Sequence, residues 1–396
     1  MSRKRLLFPE DMRESLTRRF NNQHRNWLIH QAEWPLVLGL GSPTERDVAE
    51  DIAGFRAWVN AWSTWQELGE ITWQDRQWPR LGNQRIPTSF RVASPNQVAA
   101  LIGQQRRWTC ACQRYERLIS RWPGLKEYSV LSHHFDVLAD YTGADFEALY
   151  SLMLWLEGNA KSDLYLRQLP IEGLDTKWLE RRKSLVSELI CAIRGEVREA
   201  DFFAACGLRR PPHRIRLRLL CPNLRKAVGF LEDIEAPLQE IAALPLAPAT
   251  AIIVENLETG LALPQLPGAV VFMKLGVGVS VLHCVPWLQG IDSVYWGDID
   301  THGFAILNDV RRVLPNLQSV LMDKETLFDY RNLWVEEPEQ NDNTQLTLLK
   351  DHERTVYEGL QSDAWGRKVR LEQERIPWAR AIEALEKGIG VGPFLR

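Results

Sequence analysis

Apolar residues recur at three- and four-residue intervals through Met12–Ile29, and again through Glu45–Leu68 behind Ser42-Pro43-Thr44. Both stretches therefore read as amphipathic helices, the second opened by a capping hydroxyl. Ile71-Thr-Trp and Ile86-Pro-Thr-Ser-Phe-Arg-Val follow, short, β-rich and bounded by Pro, Gly and Asn, which predicts strands. Residues 1–95 thus form an expected α+β arm. Residues 96–245 look mostly helical, with apolar stripes in Gln97–Ile119, Asp145–Leu156 and Thr176–Ile193, and an extended piece at Tyr165–Ile171. A strand follows in Arg214-Ile-Arg-Leu-Arg-Leu-Leu220, where basic and apolar residues alternate. Helices followed by a short ribbon fit a winged-helix or helix-turn-helix module. From residue 246 the texture changes again. Ala249–Val254, Ala269–Met273, Val294–Trp296 and Leu317–Met322 are short, nearly continuous apolar runs, separated by helical stretches such as Phe304–Leu314. That alternation is the mark of a parallel α/β sheet. Thr347–Gln361 and Arg370–Lys387 read as closing helices. The expected fold class is multidomain, α+β followed by α/β.

Charge sharpens this division. The 396 residues carry 48 Lys+Arg and 51 Asp+Glu, net −3. Residues 161–226 hold 15 basic and 8 acidic side chains, whereas 251–396 hold 14 and 21. Arginine outnumbers lysine 37 to 11, and its planar fork suits phosphate as well as structural ion pairs. Arg209, Arg210, Arg214, Arg216 and Lys177 are the candidate phosphate contacts, with the solvated face of a strand as the equal alternative for those on Arg214–Leu220. No apolar run reaches the roughly 18 residues of a membrane span, and no secretory signal is visible, so a cytoplasmic protein is expected.

Two motifs are set aside. Cys110-Ala-Cys112 with His133-His134 has poor chelating geometry for zinc and reads as packing and surface residues. Lys274-Leu-Gly-Val-Gly-Val-Ser-Val lacks the third glycine of a dinucleotide fingerprint and the Gly-Lys-Ser/Thr of a P-loop. With no Walker motif in the chain, any use of ATP falls to a partner. Tryptophan is dense in the arm, at Trp27, Trp34, Trp58, Trp62, Trp65, Trp73 and Trp78, where helical and strand spacing favours core or a protein interface over base stacking.

The candidate chemistry lies at the carboxyl ends of two expected strands, where parallel sheets collect functional groups. Ala251-Ile-Ile-Val254 runs into Glu255, and Ser293-Val-Tyr-Trp296 runs into Gly297-Asp298-Ile-Asp300-Thr-His-Gly303. Asp298 and Asp300, two apart in extended chain, can share a hard cation, with Glu255 arriving from the neighbouring strand. Either aspartate motif or helix cap accounts for Asp300 taken alone.

A strand–Glu and a strand–Gly-Asp-x-Asp about forty residues apart resemble the Toprim arrangement of topoisomerases, primases and related nucleases. Longer strings are similar to the JetD family, the nuclease subunits of Wadjet anti-plasmid defence systems. They are Leu166-Arg-Gln-Leu-Pro-Ile-Glu-Gly-Leu-Asp-Thr-Lys-Trp-Leu-Glu180, Ile253-Val-Glu-Asn-Leu-Glu-Thr259, Tyr295-Trp-Gly-Asp-Ile-Asp-Thr-His-Gly-Phe-Ala-Ile-Leu307, Leu321-Met-Asp-Lys-Glu-Thr-Leu327 and Leu371-Glu-Gln-Glu-Arg-Ile376. The resemblance implies an N-terminal arm (1–95), a winged-helix (CAP-like) DNA-binding domain (96–245) and a Toprim nuclease domain with C-terminal helices (246–396), related to the topoisomerase VI A subunit. It implies a homodimer that cuts double-stranded plasmid DNA with Mg²⁺ or Mn²⁺, alongside an SMC-type ATPase, a kleisin and a kite subunit. Glu255, Asp298 and Asp300 match the catalytic and metal-holding acids, and Glu372 and Glu374 are further metal candidates. Topoisomerase VI relatives attack with a winged-helix tyrosine. No clear counterpart appears among Tyr128, Tyr141, Tyr150 and Tyr165, so hydrolysis is preferred over transesterification. The competing expectation is a non-catalytic DNA-binding or scaffold subunit.

Overall fold

A computed structural model describes residues 6–390 apart from 128, 198, 200 and 344, without the side chain of residue 277. The chain divides into two compact units, Met1–Pro211 and Pro212–Arg396.

The first unit begins with helix α1 (Pro9–Leu28), which buries Met12, Leu16, Phe20 and Trp27 along one stripe. The single helix expected over Glu45–Leu68 is two, α2 (Glu45–Glu50) and α3 (Ile52–Ser63), because Asp51 leaves helical geometry and caps the second by accepting from the Gly54 N–H. Strands β1 (Leu36–Gly39), β2 (Glu70–Trp78) and β3 (Gly82–Val92) form an antiparallel sheet in the order β1-β3-β2. Gln97–Ile119 is likewise divided, into α4 (Pro95–Leu101) and α5 (Gln105–Arg121), with Gly103 at φ +71 ending the first helix. Helices α6 (Gly143–Gly158), α7 (Thr176–Glu180) and α8 (Lys183–Arg194) complete the unit's main helices. Tyr165–Ile171, read as extended, contains a short 3₁₀ turn at Leu166–Gln168. Of the arm's tryptophans, Trp27, Trp58 and Trp62 are buried and the other four half-buried, in keeping with a packing role. Trp58 and Trp62 both donate their indole N–H to the Leu7 carbonyl, at 2.9 and 2.8 Å.

In the second unit six strands form one sheet in the order β5-β4-β7-β6-β8-β9. They are β4 (Arg214–Leu219), β5 (Asp233–Pro237), β6 (Thr250–Val254), β7 (Ala269–Met273), β8 (Asp292–Trp296) and β9 (Gln318–Ser319). The four strands from β7 to β9 are parallel, as their apolar texture requires: every residue of β6 and β7 is buried. The sheet as a whole is mixed, since β4 runs antiparallel to both β5 and β7. This places the arginine-rich strand inside the α/β unit, whereas the sequence reading assigned it to a ribbon in a 96–245 module. Ile215, Leu217 and Leu219 are buried in the sheet's core, and that burial decides where the strand belongs. Helices α9 (Leu257–Ala262), α10 (Thr301–Val313), α11 (Asp351–Gln361) and α12 (Trp378–Ile389) flank it. The helix expected over Arg370–Lys387 starts only at Trp378; Val369–Arg370 is strand β11, paired with β10 (Val335–Glu336). Pro377 stands immediately before α12 and marks its start. Among the described residues no helix is long and apolar enough to cross a membrane.

One buried ion pair ties α10 to α11. Arg311 Nη1 and Nη2 donate to Glu353 Oε2 and Oε1 at 2.6 and 2.8 Å, and the two side chains are 6% and 0% exposed. Burial alone would raise the Glu353 carboxyl. Donors from Arg311, the Ser319 hydroxyl and the Lys350 N–H outweigh it and hold the group below its ordinary value. Glu353→Ala strands a buried guanidinium and should destabilise the fold by about 3–5 kcal/mol, read as a lower urea midpoint. Arg311→Met combined with Glu353→Leu should cost markedly less, because no unpaired charge remains.

Candidate functional site

Parallel pairing of β6 with β8, with Val254 opposite Trp296, brings Glu255 and the Gly297–Gly303 loop to the same end of the sheet. Glu255, Asn256, Asp298, Arg370, Glu372, Gln373 and Glu374 line a pocket of about 220 Å³ there. The structure thus gathers four of the five expected acids around one cavity, and the fifth, Asp300, joins them through Arg370. Arg370 Nη2 lies 2.5 Å from Asp298 Oδ2, Nε stands 3.0 Å from Asp300 Oδ2, and Nη2 is 3.7 Å from Glu372 Oε1. The helix-cap reading of Asp300 is the one the geometry displays. Its Oδ1 accepts from the Gly303 N–H at 2.7 Å as the cap of α10, while its other oxygen faces Arg370. Asp298 Oδ1 accepts from the Gln373 N–H at 2.8 Å. Glu372 pairs with Arg375 at 2.7 Å, which with Arg370 holds its carboxyl below the ordinary value; Glu374 accepts from the Asn256 amide.

Sequence reasoning missed four residues. Arg370 was taken as helical, and only its β-ribbon places it among the acids. Tyr295, buried on β8, hydrogen-bonds Glu255 through its hydroxyl and lies 3.1 Å from the Gly303 carbonyl. Glu337, 1% exposed, accepts from the Thr301 hydroxyl at 2.6 Å and adds negative charge beside Asp300. Gln373 is 2% exposed and its side-chain oxygen has no hydrogen-bond partner among the described residues. Alternation along β8 could have marked Tyr295; nothing local marks the others.

Gly297 and Gly303 do more than bend the loop. A Cβ on Gly297 would overlap Glu255 Oε1 and the Tyr295 hydroxyl, and one on Gly303 would overlap the Asp298 carbonyl. Close approach of side chains explains the glycine at 297, and close approach of a backbone carbonyl the glycine at 303.

The acidic oxygens are hard donors of the kind that suit Mg²⁺ or Mn²⁺, and Gln373, whose buried side-chain oxygen has no partner among the described residues, lines the same pocket. Among the described residues no three Asp, Glu, His or Cys side chains stand close enough together to hold a metal ion as placed; the Arg370 guanidinium occupies the space between Asp298 and Asp300 as their counter-charge.

Four of the five expected phosphate contacts are each matched to an acid. Arg209 pairs with Asp163 and Arg210 with Asp201 in the first unit. In the second, Arg214 lies 3.7 Å from Glu235 and Arg216 2.9 Å from Asp233. Lys177 is exposed on α7. Tyr141, Tyr150 and Tyr165 lie in the first unit, with arginines stacked on their rings, while Tyr128 is outside the described residues. In the set-aside Cys/His motif, His134 pairs with Glu188, and burial pushes the Cys112 thiol up to about 11.

Crowding of acids sets the protonation. Burial, aided by the charges of Asp298 and Asp300 and opposed by the Tyr295 hydrogen bond, lifts Glu255 from 4.5 to about 7. Burial, with Glu337 and Asp298 adding and Gly303 N–H and Arg370 opposing, lifts Asp300 from 3.8 to about 6. Both acids bind protons more tightly folded than unfolded. Their stabilisation is complete below the unfolded values and is lost as pH rises through the folded ones. The melting temperature of chelator-treated protein should therefore fall between about pH 4 and about pH 7. Glu255→Gln should flatten the upper part of that fall; an unchanged slope there would remove Glu255 as its source.

A comparison with curated proteins returns no match. Two family models match in series. Residues 9–191 match an N-terminal family described as an uncharacterized protein conserved in bacteria (DUF3322), and residues 207–385 match the family described as Wadjet protein JetD, C-terminal. The second match spans β4 to most of α12 and includes every residue lining the acidic pocket. The chain belongs to the JetD family of Wadjet proteins.

Proposed function

We propose that this chain is the cutting subunit of its Wadjet complex, a DNA endonuclease dependent on Mg²⁺ or Mn²⁺ that makes double-strand breaks in closed circular plasmid DNA. The observation that carries the reading is the meeting of Glu255 with Asp298 and Asp300 at adjoining carboxyl ends of β6 and β8. On this reading the second unit acts as a Toprim nuclease domain. The winged-helix assignment of the preceding residues rests on the family resemblance. Glu255, Asp298 and Asp300 would hold the ion, with Glu372 and Glu374 at the pocket rim. A bound divalent ion would supply an activated water and offset charge developing on the phosphate.

The protein's own groups prepare that chemistry. Glu255, poised near neutrality by burial and neighbouring acids, is suited to take a proton from the attacking water and return it. Tyr295 orients the Glu255 carboxyl. Its phenol is fully buried and held well above its ordinary value by burial and by the Glu255 charge, which suits support better than nucleophilic attack. This favours hydrolysis over a phosphotyrosine intermediate. Phosphate contacts by Arg209, Arg210, Arg214, Arg216 and Lys177 belong to the same proposal. The first four would exchange a neighbouring carboxylate for a DNA phosphate, with the salt dependence that counterion release imposes. Antiparallel strands related by local two-folds are cut most economically by a C2 homodimer. Selection of circular DNA falls to the SMC-type ATPase with its kleisin and kite partners.

Purified chain incubated with circular plasmid and Mn²⁺, with and without those partners, tests the reading. Linear product is expected in the full assembly. Glu255→Ala should reduce cutting to background while circular dichroism and DNA retention stay close to wild type. Absence of product under every condition, with DNA still bound, would instead identify a scaffold subunit. A covalent protein–DNA adduct would replace hydrolysis with transesterification.

A further inference from the structure

Arg370 is pinned at its backbone and held at its tip by a hydrogen bond from Nη2 to Asp298 Oδ2 at 2.5 Å. Strand β11 pairs it with Val335, and the next residue, Leu371, exchanges both backbone hydrogen bonds with Ile299, at 2.9 and 3.1 Å. Ile299 lies between Asp298 and Asp300, so the Arg370 backbone is pinned beside the acidic loop. The rest of the guanidinium is less settled. Its Nε, although 3.0 Å from Asp300 Oδ2 and shielded from water, lacks hydrogen-bond geometry, and the side chain keeps 27% exposure into the pocket. Charge, more than a saturated set of hydrogen bonds, keeps it there.

The surrounding charge is in surplus. Glu255, Asp298, Glu372 and Glu374 line the pocket with Arg370 as its one lining cation, and buried Asp300 and Glu337 stand behind them. With Arg375 paired to Glu372 outside the lining, two guanidinium groups face six carboxyls, and the cluster stays under-neutralised. A divalent ion on the same carboxylates gains twice the Coulomb attraction at equal distance. Asp298 and Asp300 cannot give their facing oxygens both to such an ion and to Arg370.

We infer that Arg370 is an exchangeable internal cation, holding Asp298 and Asp300 in place until a divalent ion takes them and then turning its guanidinium to the DNA phosphate at the same pocket. The inference rests on the metal-site reading proposed above. A pinned backbone restricts the released side chain to the pocket, and the planar fork with five N–H donors matches phosphate oxygens. Arg370 is then both a placeholder in the metal-free protein and a phosphate-binding residue in the loaded one.

Calorimetric titration of the full chain with Mn²⁺, beside plasmid cutting by the reconstituted assembly, separates the two roles. Arg370→Met should bind Mn²⁺ about tenfold more tightly, the scale on which a neighbouring guanidinium shifts a carboxylate. Its assembly should nevertheless cut at least about 100-fold more slowly, as when one donor to a developing anion is removed. Should that variant not fold, Arg370→Lys carries the test. An ammonium cannot fork across two carboxylates, so Mn²⁺ binding tightens several-fold while cutting is partly retained. Unchanged Mn²⁺ affinity in the Arg370 variants, with binding abolished by Asp298→Asn, overturns the exchange and leaves the metal site standing. Tighter Mn²⁺ binding with undiminished cutting overturns the phosphate role. No Mn²⁺ binding by wild type or variant removes the metal site itself, and the inference with it.

Discussion

Repulsion among carboxylates at one end of a sheet is the constraint around which the second unit is built. Parallel pairing of β6 with β8 forces Glu255 beside the loop that carries Asp298 and Asp300, and buried Glu337 deepens the negative field. Such a cluster persists only if something positive enters it or some of its members hold protons. The chain does both. Arg370 reaches Asp298 and Asp300, and burial brings Glu255 and Asp300 into the range where they are partly protonated near neutrality. The C-terminal segment is thus part of the site: without the β10–β11 ribbon the acids would face one another without a counter-charge.

The loop between β8 and α10 shows how closely packing and chemistry are joined. Gly297 and Gly303 leave out side chains that would collide with Glu255, Tyr295 and the Asp298 backbone. Asp300 caps α10 with one oxygen and faces Arg370 with the other. A single residue therefore starts a helix and anchors the guanidinium that enters the pocket.

Arginine, abundant along this chain, is largely spoken for within it. Arg311 is sealed against Glu353, and Arg218 donates to Glu232 and to the carbonyls of Gly260, Leu261 and Leu263. The basic segment at 161–226 therefore combines structural pairs with surface charge, and its net value overstates the positive surface on offer. Its residues Arg214–Leu219 lie in a strand whose alternate side chains build the core of the α/β unit.

Local pattern determined much of this. Continuous apolar runs identified β6, β7 and β8 because strands buried on both faces must be apolar throughout, and the acids that follow two of them could be read off directly. Helix breaks at Asp51 and Gly103 escaped periodicity, which sees the apolar stripe and not the single residue that leaves helical geometry. Strand β4 was recognised as a strand, yet its partner was not, since pairing with β7 joins residues more than fifty positions apart. The same reason hid Arg370, Gln373 and Glu337 from the candidate site. Sequence by itself determined which strands end in carboxylates. Only the tertiary structure decided which cation meets them, because that contact depends on where a distant two-residue ribbon comes to rest.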